Sequence, residues 1–127
     1  MNRVVADASA LAAVTFREPG AEAVALRLLG AEVFAPRILQ FEMANVAWKR
    51  IRRQPGDALA TLTLLQAALG EGSHIQWTEV NITDVVLVAQ STGLTPYDAS
   101  YLWLAGSLGA DLVTLDKRLA AAGAAAI

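Results

Sequence analysis

Four acidic side chains, Asp7, Glu42, Asp98 and Asp116, stand where the surrounding residues are mostly apolar or small. Asp7 closes "RVVAD", Asp98 follows Pro96 at the head of "TPYDASYLWLAGSLG", Asp116 follows "DLVTL", and Glu42 lies inside "RILQFEMANVAWKR". Carboxylates brought together repel, and some then hold their protons above the ordinary carboxylate range. A hard divalent cation resolves the conflict, because Mg²⁺ and Mn²⁺ take oxygen ligands, keep several waters and bridge carboxylate to phosphate. Such ions polarise a phosphodiester and deliver hydroxide near neutral pH. The chemistry this set suits is therefore metal-dependent phosphodiester hydrolysis, with Mg²⁺ first and Mn²⁺ as the alternative.

Each aspartate also has a structural reading. Thr95, Pro96 and Asp98 fit the cap, first and third positions of a helix, a Thr-x-x-Asp capping box favoured by the helix dipole. Asp7 and Asp116 fit simple N-caps. Asp84 holds the same third position after Asn81, and there the cap reading is preferred because its helix follows an edge strand. Glu42 lies away from any helix start. Pairing with a base such as Lys49 on a solvated face is its structural alternative. Its helix is so apolar that most of its surface should be buried, and acids in apolar surroundings cluster at sites.

Composition narrows the alternatives. The chain has 127 residues, one domain's worth, with 55% hydrophobic residues and a net charge of -2. It contains no cysteine, which removes disulfides, thiolate metal sites and cysteine nucleophiles. His74 is its single histidine, so neither a multi-histidine zinc site nor a two-histidine ribonuclease is possible. There is no P-loop, "GEGSHI" precedes a strand rather than following one, and Ser9 occupies the place a second phosphatase aspartate would need. No secretory signal or membrane span is read, so the expected setting is cytoplasmic.

The elements that must position these acids alternate between strand and helix. Strands are expected at Arg3–Asp7, Glu32–Ala35 (stopped by Pro36), "HIQWTEV" and "DLVTL", with "AAAI" as a weak edge strand. Helices are expected from Ala8, over "EPGAEAVALRLLG", Arg37 to Arg53, Asp57 to Leu69, "NITDVVLVAQSTG", from Thr95, and Asp116 to Ala122. This is an α/β fold, a mainly parallel sheet covered on both sides. Ligands of such sheets bind beyond the carboxyl ends of the strands, where Asp7 and Asp116 stand.

The segments "VVADASAL", "FEMANVAWK", "LTPYDASYLWLA" and "LVTLDKRL" resemble, in order and spacing, the four motifs of the PIN-domain ribonucleases, specifically the VapC-type toxins of toxin–antitoxin pairs. The resemblance runs from Val4 to Leu119. It implies a single PIN-like domain over residues 1–127 with a parallel sheet of order 3-2-1-4-5. It implies an acidic metal-binding tetrad of Asp7, Glu42, Asp98 and Asp116, with Ser9 and Thr114 as supporting residues. It also implies a homodimer, a cognate antitoxin whose tail covers the site, and RNA products with 5′-phosphate and 3′-hydroxyl ends.

Two further readings come from helix faces. On the Arg37–Arg53 helix, Glu42, Asn45, Lys49, Arg52 and Arg53 share one face, with Trp48 and Arg50 off it. Lys49, Arg52 and Arg53 are candidate contacts to the RNA backbone, although cations at a helix C-terminus also simply complement its dipole. Leu59, Leu62, Leu65 and Leu69 recur at helical spacing, partly for the core and partly for a second subunit or the antitoxin. The competing functions are a non-catalytic interaction module on the same fold, and an RNA-processing or DNA nuclease unconnected with any antitoxin.

Overall fold

The centre of the molecule is β1 (Arg3–Ala6), whose Val4, Val5 and Ala6 are buried on both faces. The computed structural model describes residues 2–125. A strand buried this way needs apolar residues at consecutive positions, and "VVA" supplies them. β2 (Glu32–Pro36) and β4 (Asp111–Val113) flank β1, and β3 (Gln76–Thr78) lies outside β2, all pairings parallel. Among the described residues the sheet has four strands in the order β3-β2-β1-β4.

The resemblance implied a fifth strand. Of "AAAI", Ala124 and Ala125 belong to the last helix, and residues 126–127 lie outside the described part. Four strand boundaries also differ from expectation, the first because Asp7 leaves β1 to cap α1. β2 includes Pro36, which stands opposite Thr78; at the strand's last position the missing N–H costs little. β3 and β4 are each three residues long, so Thr114 and Leu115 leave the ladder and are free to turn toward the site.

Helices fill both faces. α1 (Ala8–Phe16) and α2 (Ala21–Leu28) follow β1; α3 (Ile38–Arg53) and α4 (Ala58–Leu69) follow β2; α5 (Ile82–Thr92) and α6 (Pro96–Leu108) separate β3 from β4; α7 (Lys117–Ala125) comes last. Alternate strand residues go to opposite layers. Val5 and Phe34 join the main core with Leu39, Met43, Tyr101, Leu104 and Leu119, whereas Val4 and Val113 pack with Ala10 and Val24. No described helix is long and apolar enough to cross a membrane.

The helix ends match their sequence signals. Asn81 accepts from the Asp84 N–H at 3.0 Å and Thr95 from the Asp98 N–H at 3.2 Å, so both act as N-caps. Asp7 and Asp116 cap α1 and α7 through the Ala10 and Leu119 amides, each at 3.0 Å. α3 is far less buried than its composition implies. Leu39, Met43 and Ala47 are buried and Ile38 and Val46 pack partly against the core, while Phe41 and Trp48 remain 75% and 53% exposed. One stripe packed against α1, α4 and the core is enough to seat the helix, and the remaining apolar side chains project outward. On α4 the leucines divide: Leu65 and Leu69 pack on the core, Leu59 and Leu62 face outward.

Leu104 sits in the main core at 1% exposure, away from the acids. Leu104→Ala is expected to cost roughly 2–5 kcal/mol through lost burial and the cavity it leaves, measured by denaturant unfolding.

Candidate active site at the carboxyl edge of the sheet

Parallel register brings the first acid to its partners. Ala6 stands opposite Val113, so the next residues, Asp7 and Thr114, leave β1 and β4 side by side. The Asp7 N–H donates to the Val113 carbonyl at 3.2 Å. Asp7 is only 5% exposed, and hydrogen bonds to its carboxylate offset the cost of burial. Oδ1 accepts from Ser9 Oγ at 2.7 Å and from the Ala10 N–H at 3.0 Å, and Oδ2 accepts from Thr114 Oγ1 at 2.5 Å. The hydroxyls are themselves anchored, Ser9 accepting from the Leu115 N–H at 2.9 Å and Thr114 from the Asp116 N–H at 3.0 Å. Ser9 and Thr114, expected as supporting residues, therefore bind Asp7 directly and link it to the loop that carries Asp116.

Glu42 and Asp98 arrive on helices. Glu42, half-buried on the first turns of α3, accepts a hydrogen bond at Oε1 from the Tyr101 hydroxyl. Burial raises its pKa above the ordinary glutamate value; the Tyr101 bond opposes the shift, and the charges of Asp98 and Asp7 add to it. Asp98, half-buried at the third position of α6, is likewise raised by burial, then by Asp116 and Asp7, with Arg118 partly offsetting them. Among the described residues no ion pair joins Glu42 to Lys49 or to any other base. Asp98 thus lies within electrostatic reach of the other three expected acids, and Glu42 within reach of Asp98 and Asp7, with Asp116 exposed.

The donor set suits a hard cation. All its candidate ligands are oxygens, and two of the carboxylates are held in a charge state they resist. Among the described residues, no three acidic side chains close into a ready-made cage. Mg²⁺ does not require such a cage, since it commonly takes one or two carboxylates and completes its shell with water and substrate phosphate. Asp7, Glu42, Asp98 and Asp116 are the residues that would hold it.

A family model for the PIN domain matches residues 4–125. The chain belongs to the PIN-domain family. Among its PIN relatives, Ribonuclease VapC3 of Pyrobaculum aerophilum is 34% identical over 125 residues, covering 93% of this chain and 92% of that protein. Exonuclease VapC9 of the same organism is 36% identical over 81 residues, 64% of this chain and 59% of that protein. The crystal structure of PAE2754 from Pyrobaculum aerophilum superposes with a TM-score of 0.76 at 31% identity, covering 95% of this chain and 86% of that one. The relatedness to VapC-type proteins expected from the four sequence motifs is thereby shown.

Tyr101 is the residue of this PIN site that sequence reasoning missed. It follows Asp98 by three positions, so one turn of α6 carries both toward the acids. In sequence it reads as a core aromatic, and it is buried to 1% exposure. The signal was its hydroxyl: a buried phenol needs a partner. Burial and Glu42 push the Tyr101 pKa above the ordinary tyrosine value, which keeps it protonated as a donor. It engages Oε1 of Glu42 and leaves Oε2 for other work.

The sign of the pH dependence follows from the raised carboxyls. Between the ordinary glutamate value of 4.5 and its raised value, the folded state binds more protons at Glu42 than the unfolded state. Stability therefore falls as pH rises through that window, and the penalty is fully present above it. Glu42→Gln, whose carbonyl can still accept from Tyr101, should raise the unfolding midpoint of the metal-free protein near pH 8. That gain should vanish at a pH below 4.5. A midpoint difference independent of pH would show that Glu42 carries no such penalty.

Proposed function

We propose that this PIN domain is a divalent-metal-dependent ribonuclease that cuts RNA phosphodiesters endonucleolytically and is restrained by a cognate antitoxin. The observation that carries the reading is a buried Asp7, held on both oxygens by hydrogen bonds, beside Glu42 and Asp98, whose carboxyls are raised by burial and by neighbouring acids. Mg²⁺ or Mn²⁺ bound there supplies polarisation of a phosphoryl oxygen and a hydroxide nucleophile at neutral pH. The protein's part is placement. Ser9, Thr114 and the Ala10 amide fix both oxygens of Asp7, Tyr101 fixes one oxygen of Glu42, and the α6 cap fixes the backbone of Asp98. With His74 as the single histidine, exposed and in the left-handed region, no two-histidine acid–base pair is available for attack by a 2′-hydroxyl, which favours metal-assisted hydrolysis. The products should accordingly carry 5′-phosphates and 3′-hydroxyls.

The names of the relatives favour a nuclease and leave its mode open, one being called a ribonuclease and the other an exonuclease. A circular RNA separates the modes, since only an endonuclease opens it. Restraint by an antitoxin and association as a homodimer rest on the VapC relatedness and on the outward leucines of α4, Leu59 at 80% and Leu62 at 50% exposure. A dimer is expected by light scattering at micromolar concentration, and a cytoplasmic setting goes with this reading.

Asp7→Asn or Asp98→Asn should abolish cleavage of single-stranded RNA while the fold persists by circular dichroism. Full activity in a folded Asp98→Asn variant would sink the site. The cations of α3 provide a second check. Lys49, Arg52 and Arg53 are exposed, with the Arg52 guanidinium 4.8 Å from the Trp48 ring centre. Changing all three to glutamine should weaken RNA binding without altering metal affinity, and flatten its salt dependence by about 0.7 log units per lost contact. An unchanged slope would place the RNA path elsewhere.

A further inference from the structure

Two aromatic side chains border the acids from different helices, and folding does not explain why. Phe41 immediately precedes Glu42 on α3 and is 75% exposed; Tyr97 immediately precedes Asp98 on α6 and is 60% exposed. Both line one cleft of about 360 Å³, whose other walls include Ala8, Ile38, Glu42 and Asn45. Core burial of a phenylalanine is strongly favourable, yet on α3 the inward positions go to Leu39 and Met43 and leave Phe41 turned out. The cleft therefore offers two aromatic rings, an exposed amide with both a donor and an acceptor, and a candidate metal-binding carboxylate on its wall.

We infer that this cleft is a nucleobase subsite: it takes one unstacked base of single-stranded RNA, next to the phosphodiester held at the acids, between Phe41 and Tyr97. The inference rests on the nuclease reading above. Every base presents a π-face, and base–aromatic stacking is how single strands are gripped without a fixed sequence. Asn45, one turn beyond Phe41, can then hydrogen-bond the base edge. Beyond Asn45 the same face of α3 continues into Lys49, Arg52 and Arg53, a course that suits a strand's phosphates leaving the cleft. An apolar side chain from a protein partner would cover the rings but offer the Asn45 amide nothing to hydrogen-bond. A base inside a duplex cannot enter, so cleavage falls at unpaired nucleotides.

The test uses the full chain with Mn²⁺ and short single-stranded RNAs of mixed sequence. At a mapped cleavage position, an abasic residue on one side of the scissile bond should lower kcat/KM by roughly tenfold or more. Phe41→Ala with Tyr97→Ala should cause a similar loss on intact RNA and no further loss on the abasic RNA. Phe41→Trp and Tyr97→Phe should retain activity. A readout independent of cleavage is 2-aminopurine at that position, whose fluorescence should be quenched by the wild type and not by the double alanine variant. If RNA is cut normally with the abasic residue on each side of the scissile bond in turn, the subsite is overturned while the nuclease reading stands. Normal RNA cutting by the double variant, with loss of self-association or of a protein partner, would make the cleft a protein-docking site and likewise overturn the inference. No cleavage under any condition would remove the nuclease reading, and unquenched 2-aminopurine would then remove the subsite with it.

Discussion

Asp7 is a carboxylate at 5% exposure at the end of the most buried strand, and the site is arranged around keeping it there. Its two oxygens receive a serine hydroxyl, a threonine hydroxyl and a backbone amide. Each donor depends on a different level of the fold. The amide exists because Asp7 starts α1, and the serine lies within that first turn. The threonine arrives only because β4 runs parallel to β1 in the register that sets Val113 opposite Ala6. A one-residue slip of β4 would exchange Thr114 for an apolar neighbour and turn the strand's side chains to the wrong layers. Sheet register and the chemistry of the carboxyl edge are thus a single constraint.

The remaining acids are held against their own preference. Glu42 and Asp98 are desolvated and face other carboxylates, and both are raised for those reasons in that order. Such placement weakens the metal-free fold and supplies the free energy that a divalent ion can recover. Tyr101 keeps the arrangement from relaxing: its ring is part of the core and its hydroxyl fixes one Glu42 oxygen. The capping and chemical roles of Asp98 are compatible for the same geometric reason. The Thr95 hydroxyl takes only the Asp98 N–H, which leaves the Asp98 carboxylate outside the cap and under the influence of Asp116 and Asp7.

Much of this was legible in sequence because it is carried by local signals. Asn81 and Thr95 were readable as caps, and the alternation of elements gave a parallel α/β sheet. The four motifs named the family that the comparisons then showed. What escaped was set by tertiary packing. Tyr101 looked like any core aromatic, since nothing nearby in sequence reveals that its hydroxyl meets a residue 59 positions away. The burial of α3 was overestimated because composition does not say how many faces of a helix find a neighbour; Phe41 and Trp48 found none. A fifth strand was expected at "AAAI" and from the family's sheet order, but Ala124 and Ala125 belong to α7, where alanine's helix propensity prevails.

The central claim is that the acids of the carboxyl edge are mutually destabilised until a divalent ion joins them. It is tested most directly by thermal unfolding across pH, in chelator and in saturating Mn²⁺. The midpoint should rise with Mn²⁺, the rise should be larger near pH 8 than near pH 5 because protonated carboxyls bind metal poorly, and Asp98→Asn should lose most of it. An identical midpoint with and without the ion near pH 8 would contradict the account.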